Sequence, residues 1–492
     1  MRLFSYRDRP VHLGPYPLER LTRSTTPPDL AACTPMQALS FDDDNPESIK
    51  HAMARYMGMF DLVRDGVVNA QLGETPADLQ ARTDHLKAAG YYFDASMMAA
   101  CTLPQQALLA QPLRNPTVTA LGEELAQNQP TSFAAGMDMI LADVLESART
   151  QHGPINHHSH ALMILVEYPR DPRPDEPGCE WIAGTQAQRA ALLAAQTAVL
   201  LSTYLRMLGF EGRAHTATCT EVDLNQLALQ AGLAHADGSN PYVGTRYGLA
   251  AVTTTYALAA DLPLAPATQQ RRRQSHGAAW WLGKGTLKNA FNHEAYARRE
   301  FRQGAFPFEK LKRRDRPTTF IDHARVPRFP KRADFFARAL FGDLGKAVQD
   351  DAKNAHYVMK SPIGACARRA LGALLLLQFG EARGPISATT ADPQRNADNL
   401  KAAAYYLGVD AVGLCGVPEW AYYSHDAGGN AMPAYHANAV NLLLDQGHET
   451  MEGASGDDWI AVAQSMRAYL RFSLLGGVIG EQIRRLGYSA RV

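Results

Sequence analysis

Cysteine is sparse in this sequence and never closely paired. Six occur in 492 residues, Cys33, Cys101, Cys179, Cys219, Cys366 and Cys415, and no two form a C-x-x-C. Iron–sulfur clusters take four thiolates, usually from grouped runs, and structural zinc usually takes paired ligands, so no local motif here builds either. Six scattered thiols are expected to stay reduced. Net charge is also missing, because 49 basic and 49 acidic side chains cancel; no global field draws the chain to nucleic acid or to an anionic membrane. No run of about 18 apolar residues is evident, and no membrane span is expected. Met1 to Arg23 lacks both an apolar core and a twin-arginine pair, which argues against an export signal and for a cytoplasmic protein. The stretch Gly238-Ser239-Asn240-Pro241-Tyr242-Val243-Gly244 is neither a G-x-G-x-x-G nor a Walker loop, so nucleotide binding is unsupported.

What the sequence does contain is a repeat. Asp84-His85-Leu86-Lys87-Ala88-Ala89-Gly90-Tyr91-Tyr92-Phe93-Asp94, running on to Cys101 and Pro104, is matched by Asp398-Asn399-Leu400-Lys401-Ala402-Ala403-Ala404-Tyr405-Tyr406-Leu407-Gly408, running on to Cys415 and Pro418. Downstream, Trp181-Ile182-Ala183 and Leu205-Arg206-Met207-Leu208-Gly209-Phe210 are matched by Trp459-Ile460-Ala461 and Ile483-Arg484-Arg485-Leu486-Gly487-Tyr488. The interval from Trp181 to Arg206 equals that from Trp459 to Arg484, 25 residues each. A unit of roughly 180 residues is too long for a solenoid and implies a duplicated domain or half-domain. The first copy continues through Ala251 to Thr255, whereas the second stops at Val492. The second copy is therefore expected to be incomplete, by on the order of 50 residues, in a truncated chain; the alternative is a copy that is naturally shorter.

Periodicity and punctuation give four segments: an N-terminal arm and helix (1–80), the first copy (81–265), a basic linker with a helical region (266–390) and the partial second copy (391–492). Helices are expected over Ile49 to Asp61, Ser132 to Arg149, Gln186 to Leu208 and Asp334 to Phe341, and strands at Ser96 to Ala100, Ala161 to Tyr168, Ala251 to Thr255 and Val412 to Val417. Helices alternating with short apolar strands indicate an α/β or α+β sandwich. From Gln269 to Arg332 basic residues outnumber acidic ones about threefold, which suits either a solvated connector or an acidic partner.

Three clusters could carry chemistry. On the last helix, Ser473, Gly476, Gly477, Gly480 and Arg484 share one face, whereas the first copy carries alanines, a valine and a serine before Arg206. Three interior glycines cost roughly 1 kcal/mol each relative to alanine. They suit either a groove for a broad ligand with an anion at the guanidinium, or close packing of another helix. Trp420-Ala421-Tyr422-Tyr423-Ser424-His425-Asp426 follows a strand, in a loop where a phenol beside a cation could give up a proton. The group His157, His158 and His160 has no carboxylate or cysteine at ligand spacing and reads as structural or solvated histidine rather than a metal site.

His12-Leu13-Gly14-Pro15-Tyr16-Pro17-Leu18-Glu19-Arg20, Ala333-Asp334-Phe335-Phe336-Ala337-Arg338-Ala339-Leu340-Phe341-Gly342-Asp343-Leu344-Gly345, Tyr422-Tyr423-Ser424-His425 and Ile483-Arg484-Arg485-Leu486-Gly487-Tyr488 together resemble the cobalamin-dependent reductive dehalogenases, closest to their cytoplasmic, catabolic branch. The resemblance implies an α+β, internally duplicated, nitroreductase-like cobalamin-binding core, its second copy incomplete here. It also implies two [4Fe-4S] clusters in a C-terminal part that this chain lacks. It assigns reductive dehalogenation of a halogenated aromatic such as a halophenol, with a ferredoxin or reductase as electron donor. By motif the proton donor is Tyr423 or Tyr422, and its basic partner Arg484 or Arg485. Gly476, Gly477 and Gly480 then become candidates for holding the corrin. The chain lacks the D-x-H-x-x-G of histidine-on cobalamin binding, and by itself is expected to be inactive. Two alternatives stand beside this: a non-catalytic cobalamin-binding module, and a nitroreductase-like flavin enzyme, disfavoured because no phosphate-binding arginines and serines are identifiable.

Overall fold

The fold is that of a computed structural model, which describes residues 14, 16, 18–127, 137–150, 153–266, 312, 314–316, 319–354, 356–359, 361–446 and 459–492. Most of the basic stretch, including Trp280, Trp281, Phe306 and Phe308, lies outside these residues.

At its centre is a four-stranded antiparallel sheet in the order β1 (Met97–Thr102), β3 (His160–Glu167), β6 (Tyr247–Thr254), β4 (Gly212–His215). Side chains alternate across a strand, and here both faces are covered. Met98, Ala100, Leu162, Ile164, Ala250 and Val252 enter the principal core, while Met97, Ala99, Ala161, Met163, Leu165 and Ala251 enter a second one. Burial on both sides explains why β3 reads as an unbroken apolar run rather than an alternating one. A smaller pair, β2 (Leu108–Leu113) with β5 (Thr220–Val222), extends the first half.

Helices α1 (Lys50–Leu62), α2 (Leu79–Tyr92) and α3 (Gln186–Met207) belong to this half. Then come α4 (Phe335–Phe341), α5 (Pro362–Leu375), α6 (Pro393–Leu407) and α7 (Trp459–Arg485). Their starts follow local rules: Asp78, Asp334, Ser361 and Asp392 each accept hydrogen bonds from the first-turn amides, and proline opens α5 and α6. Gly408, at φ 116°, ends α6 in the left-handed conformation that glycine adopts without strain.

One finding corrects the sequence reading. Gln186–Met207 is long and apolar enough to cross a membrane by length and composition, but 83% of its most apolar window is buried inside the fold. It lies across β6, β4 and β3 as the central core helix. The principal core takes residues from all four expected segments, from Ile49 through Ala198 and Ala370 to Leu486, so these segments pack as one body.

Order and spacing recur along the chain. α2 and β1 precede a 3-10 turn at Gln105–Ala107, and α6 and β8 (Ala411–Gly416) precede one at Glu419–Ala421. β3 pairs with β1, and β9 (Asn438–Leu443) pairs with β8, both antiparallel. A long helix follows each pair and leads to a short strand, β4 or β10 (Ala490–Arg491); β10 pairs with β7 (Phe379–Gly380). β3 to β9 and β4 to β10 are offset by the same 278 positions, from 160 to 438 and from 212 to 490.

Deep between β4 and β6, His215 is fully buried with Nε2 2.8 Å from Thr253 Oγ1 and Nδ1 3.3 Å from Glu221. Burial, opposed by Glu221, pushes it down to about 4. The unfolded chain protonates this imidazole near 6.5, so the stability it holds is present above that pH and is lost as pH falls toward 4. Melting temperature against pH should therefore fall more shallowly between 6.5 and 4 in His215→Gln than in the wild type.

Candidate functional site

The loop after β8 is held from outside by the end of the basic stretch. Arg328 donates to the carbonyls of Tyr423 (2.7 Å), Tyr422 (3.4 Å) and Met432. Ser424 N–H donates to Phe329 O and Lys331 N–H to His425 O, both at 2.8 Å. Trp420 Nε1 donates to His323 Nδ1 at 2.8 Å. This part of the basic stretch is thus a clamp rather than a solvated connector.

The two tyrosines sit in different surroundings. Tyr423 is 38% exposed as a residue; its hydroxyl donates to Asp334 Oδ2 (3.1 Å) and receives Lys331 Nζ (3.4 Å), and the ammonium also lies 4.7 Å from the ring centroid. The other oxygen of Asp334 caps α4 through the Phe336 and Ala337 amides. Slight burial raises the Asp334 carboxyl, but the Tyr423 hydroxyl, these amides and Lys331 together hold it below the usual carboxylate range. Tyr422 is half-buried. Its hydroxyl donates to His436 O (2.8 Å) and accepts from His436 N–H (3.1 Å). Its ring meets Tyr435 edge-on at 5.6 Å, and the Arg491 guanidinium lies 4.1 Å from the Tyr435 centroid. His436 Nε2 in turn contacts Ser489 Oγ at 3.0 Å.

Arg484 is elsewhere. It is completely buried, and its donors go to Glu481 Oε2 (3.1 and 2.9 Å), Ala490 O (3.0 Å) and Leu377 O (3.0 Å). Arg206, 278 positions earlier, does the same: it donates to Gly212 O (2.6 Å) and Thr203 Oγ1 (3.0 Å). Gly212, Thr203 and Arg206 stand 278 positions before Ala490, Glu481 and Arg484. A role repeated at both places is a role in the fold. Arg485 lines a small surface cleft with Arg55, Glu124, Arg383 and Glu481, a lining that includes neither tyrosine, and burial lowers its pKa.

The glycine face of α7 is filled by protein. A Cβ on Gly477 would fall on the Tyr56 hydroxyl, and one on Gly476 or Gly480 would lie 3.0 or 3.1 Å from the Val492 side chain. Gly476, Gly477 and Gly480 therefore do not fit a corrin in this arrangement; they allow close approach of Tyr56 and the β10 end. The sequence-derived site is in this way split: Tyr422 and Tyr423 share a clamped loop, while Arg484 and the glycines are packing elements. Sequence reasoning missed Lys331, Asp334, Tyr435 and Arg491. Lys331 and Asp334 adjoin or lie within a motif already noticed, but nothing local ties them to a loop about 90 residues on.

No protein-family model matches the sequence, and no curated protein does. Solved structures do. Catabolic reductive dehalogenase NpRdhA matches at 35% identity and a TM-score of 0.79, over 100% of this chain and 64% of that one. The same enzyme in complex with 3-bromo-4-hydroxybenzoic acid matches equally, as does a reductive dehalogenase structure described as suggesting a mechanism for B12-dependent dehalogenation. The chain thus spans less than two thirds of the length of the proteins it matches.

Two variants and one control test the packing roles. Gly477→Ala should destabilise by about 1–2 kcal/mol, the clash with rigid Tyr56 outweighing the gain in helix propensity, whereas Gly384→Ala, which meets nothing within 4 Å, should be near neutral in urea unfolding. Arg484→Ala should cost about 3–5 kcal/mol by leaving Glu481 buried without this partner.

Proposed function

We propose, from the premise that this chain is a relative of the catabolic reductive dehalogenases along its whole length, that it provides the proton-delivering loop of a cobalamin-dependent reductive dehalogenation of a halogenated aromatic. In that reaction two electrons and one proton enter, a carbon–halogen bond gives way to a carbon–hydrogen bond, and a halide leaves. Cobalamin, when bound, supplies the electron chemistry. A halophenol-like substrate is favoured because one matched enzyme is described with 3-bromo-4-hydroxybenzoic acid.

The observation that carries the reading is the triad of Lys331, Tyr423 and Asp334. A proton donor must reach its substrate and leave a stabilised conjugate base. Tyr423 is a partly exposed residue whose hydroxyl has an ammonium at 3.4 Å, so Lys331, rather than Arg484, is the proposed cation that meets the phenolate. Asp334, bound to both, fixes their mutual position. Tyr422 supports the loop through His436. Arg484 acts through β10, whose Arg491 and neighbouring Ser489 reach Tyr435 and His436; it is a positioning residue.

Cys33, Cys101, Cys219 and Cys366 are buried, and only Cys179 and Cys415 show partial or full exposure. Burial drives the Cys366 thiol up to about 12, against the thiolate form a cluster needs. The two [4Fe-4S] clusters and their ferredoxin or reductase donor would then rely on ligands outside these six. We also read the recurring elements, with their constant offset of 278 positions and the paired roles of Arg206 and Arg484, as two copies of one nitroreductase-like unit.

In a completed protein that supplies the cluster ligands, reconstituted with cobalamin and clusters, Tyr423→Phe should lower kcat by at least about 100-fold while cobalamin absorbance and affinity stay unchanged. Lys331→Gln should lower kcat in the same direction, and Tyr422→Phe less than Tyr423→Phe. Full turnover in Tyr423→Phe would refute the assignment, and loss confined to Tyr422→Phe would transfer it to that phenol.

A further inference from the structure

His157, His158 and Glu211 come together although 53 residues separate His158 from Glu211. Glu211 lies in the turn between α3 and β4, and the histidines immediately precede β3. His157 Nε2 is 2.7 Å and His158 Nε2 3.4 Å from Glu211 Oε2, and all three ligand atoms fall within 4.8 Å of one another. His157 and Glu211 are about half exposed, whereas the His158 side chain is 2% exposed.

A chain of hydrogen bonds lies behind His158 and accommodates a proton on its Nδ1. Glu221 receives Arg64 (2.8 Å) and Arg114 (2.7 Å), which keeps it an anionic acceptor. His215 Nδ1 faces that carboxylate at 3.3 Å and Thr220 Oγ1 at 3.2 Å, and Thr220 spends its own proton on Val222 O. The tautomer with the hydrogen on His215 Nδ1 satisfies both of these acceptors, whereas the Glu221 N–H, which points at the same nitrogen from 3.4 Å, favours the other tautomer; we take the first. His215 Nε2 is then a lone pair that takes the Thr253 hydroxyl proton at 2.8 Å, and Thr253 Oγ1 in turn takes the proton of His158 Nδ1, also at 2.8 Å. This leaves His158 Nε2 as a lone pair directed at the Glu211 carboxylate. In this tautomer the Nε2 lone pair and the Glu211 carboxylate, 3.4 Å apart, can share a cation. Arg213, the nearby cation, is engaged by Asp65 at 2.7 Å.

We infer that His157, His158 and Glu211 form a three-ligand site for a divalent transition-metal ion of the zinc or cobalt class, separate from the tyrosine loop. Two imidazoles and one carboxylate are a donor set such ions accept, and the Nδ1–H of His158 bound to Thr253 is the kind of outer contact that fixes a ligating imidazole. With ligands at 2.0–2.2 Å, tetrahedral donors stand about 3.3 Å apart, close to the 3.4 Å already present; the exposed His157 and Glu211 have only to separate slightly. Solvent completes the coordination. The ion would pin the segment before β3 to the turn before β4, at one end of the central sheet.

The chain contains its own control. At 278 positions on, His157, His158 and Glu211 become Tyr435, His436 and Ser489. The geometry persists, with His436 Nε2 3.0 Å from Ser489 Oγ, but two of the three ligands are gone. The test is titration of the metal-free 492-residue chain with Co2+ alone, followed by visible d–d absorption, with Zn2+ displacement and circular dichroism to confirm folding. One equivalent should bind saturably, Zn2+ should displace it and raise the Tm, and both effects should vanish in Glu211→Ser and His157→Tyr, which install second-copy residues at exposed positions. Absence of a saturable cobalt spectrum in the wild type, or unchanged binding in both folded variants, would overturn the assignment.

Discussion

A buried guanidinium cannot be left without acceptors, and Arg484 shows what satisfying one imposes. With no exposed surface, it takes the carboxylate of Glu481 and the carbonyls of Leu377 and Ala490. These bonds fix the path of the chain beyond α7: β10 turns back beside β7, Arg383 N–H bonds to Arg484 O at 2.8 Å, and Val492 comes to rest over Gly476 and Gly480. From β10 the effect reaches the candidate loop, because Ser489 holds His436, Arg491 lies over Tyr435, and both partners flank Tyr422. Arg206 performs the equivalent task before β4, with Thr203 in place of Glu481, and burial pulls its pKa down to about 10.

The halves part where chemistry is proposed. After the 3-10 turn at Gln105–Ala107 the first half continues into β2, which is tied to β5. After the turn at Glu419–Ala421 the second half makes an irregular loop gripped by Arg328 and Lys331. A strand would have committed its backbone groups to a ladder. The loop instead commits carbonyls to a guanidinium and leaves the Tyr423 phenol partly exposed beside an ammonium and a carboxylate. The first half has a charged cluster of its own at His157, His158 and Glu211, positions that in the second half hold Tyr435, His436 and Ser489.

Much of the fold was legible because its signals are local. Helix α3 was expected over Gln186 to Leu208 and ends at Met207, and the strand expected at Ala161 to Tyr168 occupies His160–Glu167. The site was legible only in part. Tyr422 and Tyr423 stood out as phenols after a strand, but the face of α7 could not announce what fills it. Helical period places Gly476, Gly477 and Gly480 on a common side without saying whether a ligand, Tyr56 or Val492 lies opposite. Likewise the absence of a nearby carboxylate spoke against metal at His157 and His158, because Glu211 reaches them only through the pairing of β4 with β6 and of β6 with β3.

The central claim is that chemistry belongs to the clamped tyrosine loop and that the glycine face of α7 belongs to the fold. Peptide-resolved hydrogen exchange measures this directly on the protein with and without cobalamin and a halogenated phenol. Residues 328–334 and 420–436 should exchange more slowly with both ligands present, with little change across residues 473–484, which lie in a largely buried helix. Protection confined to residues 473–484, with the tyrosine loop unaffected, would contradict the account.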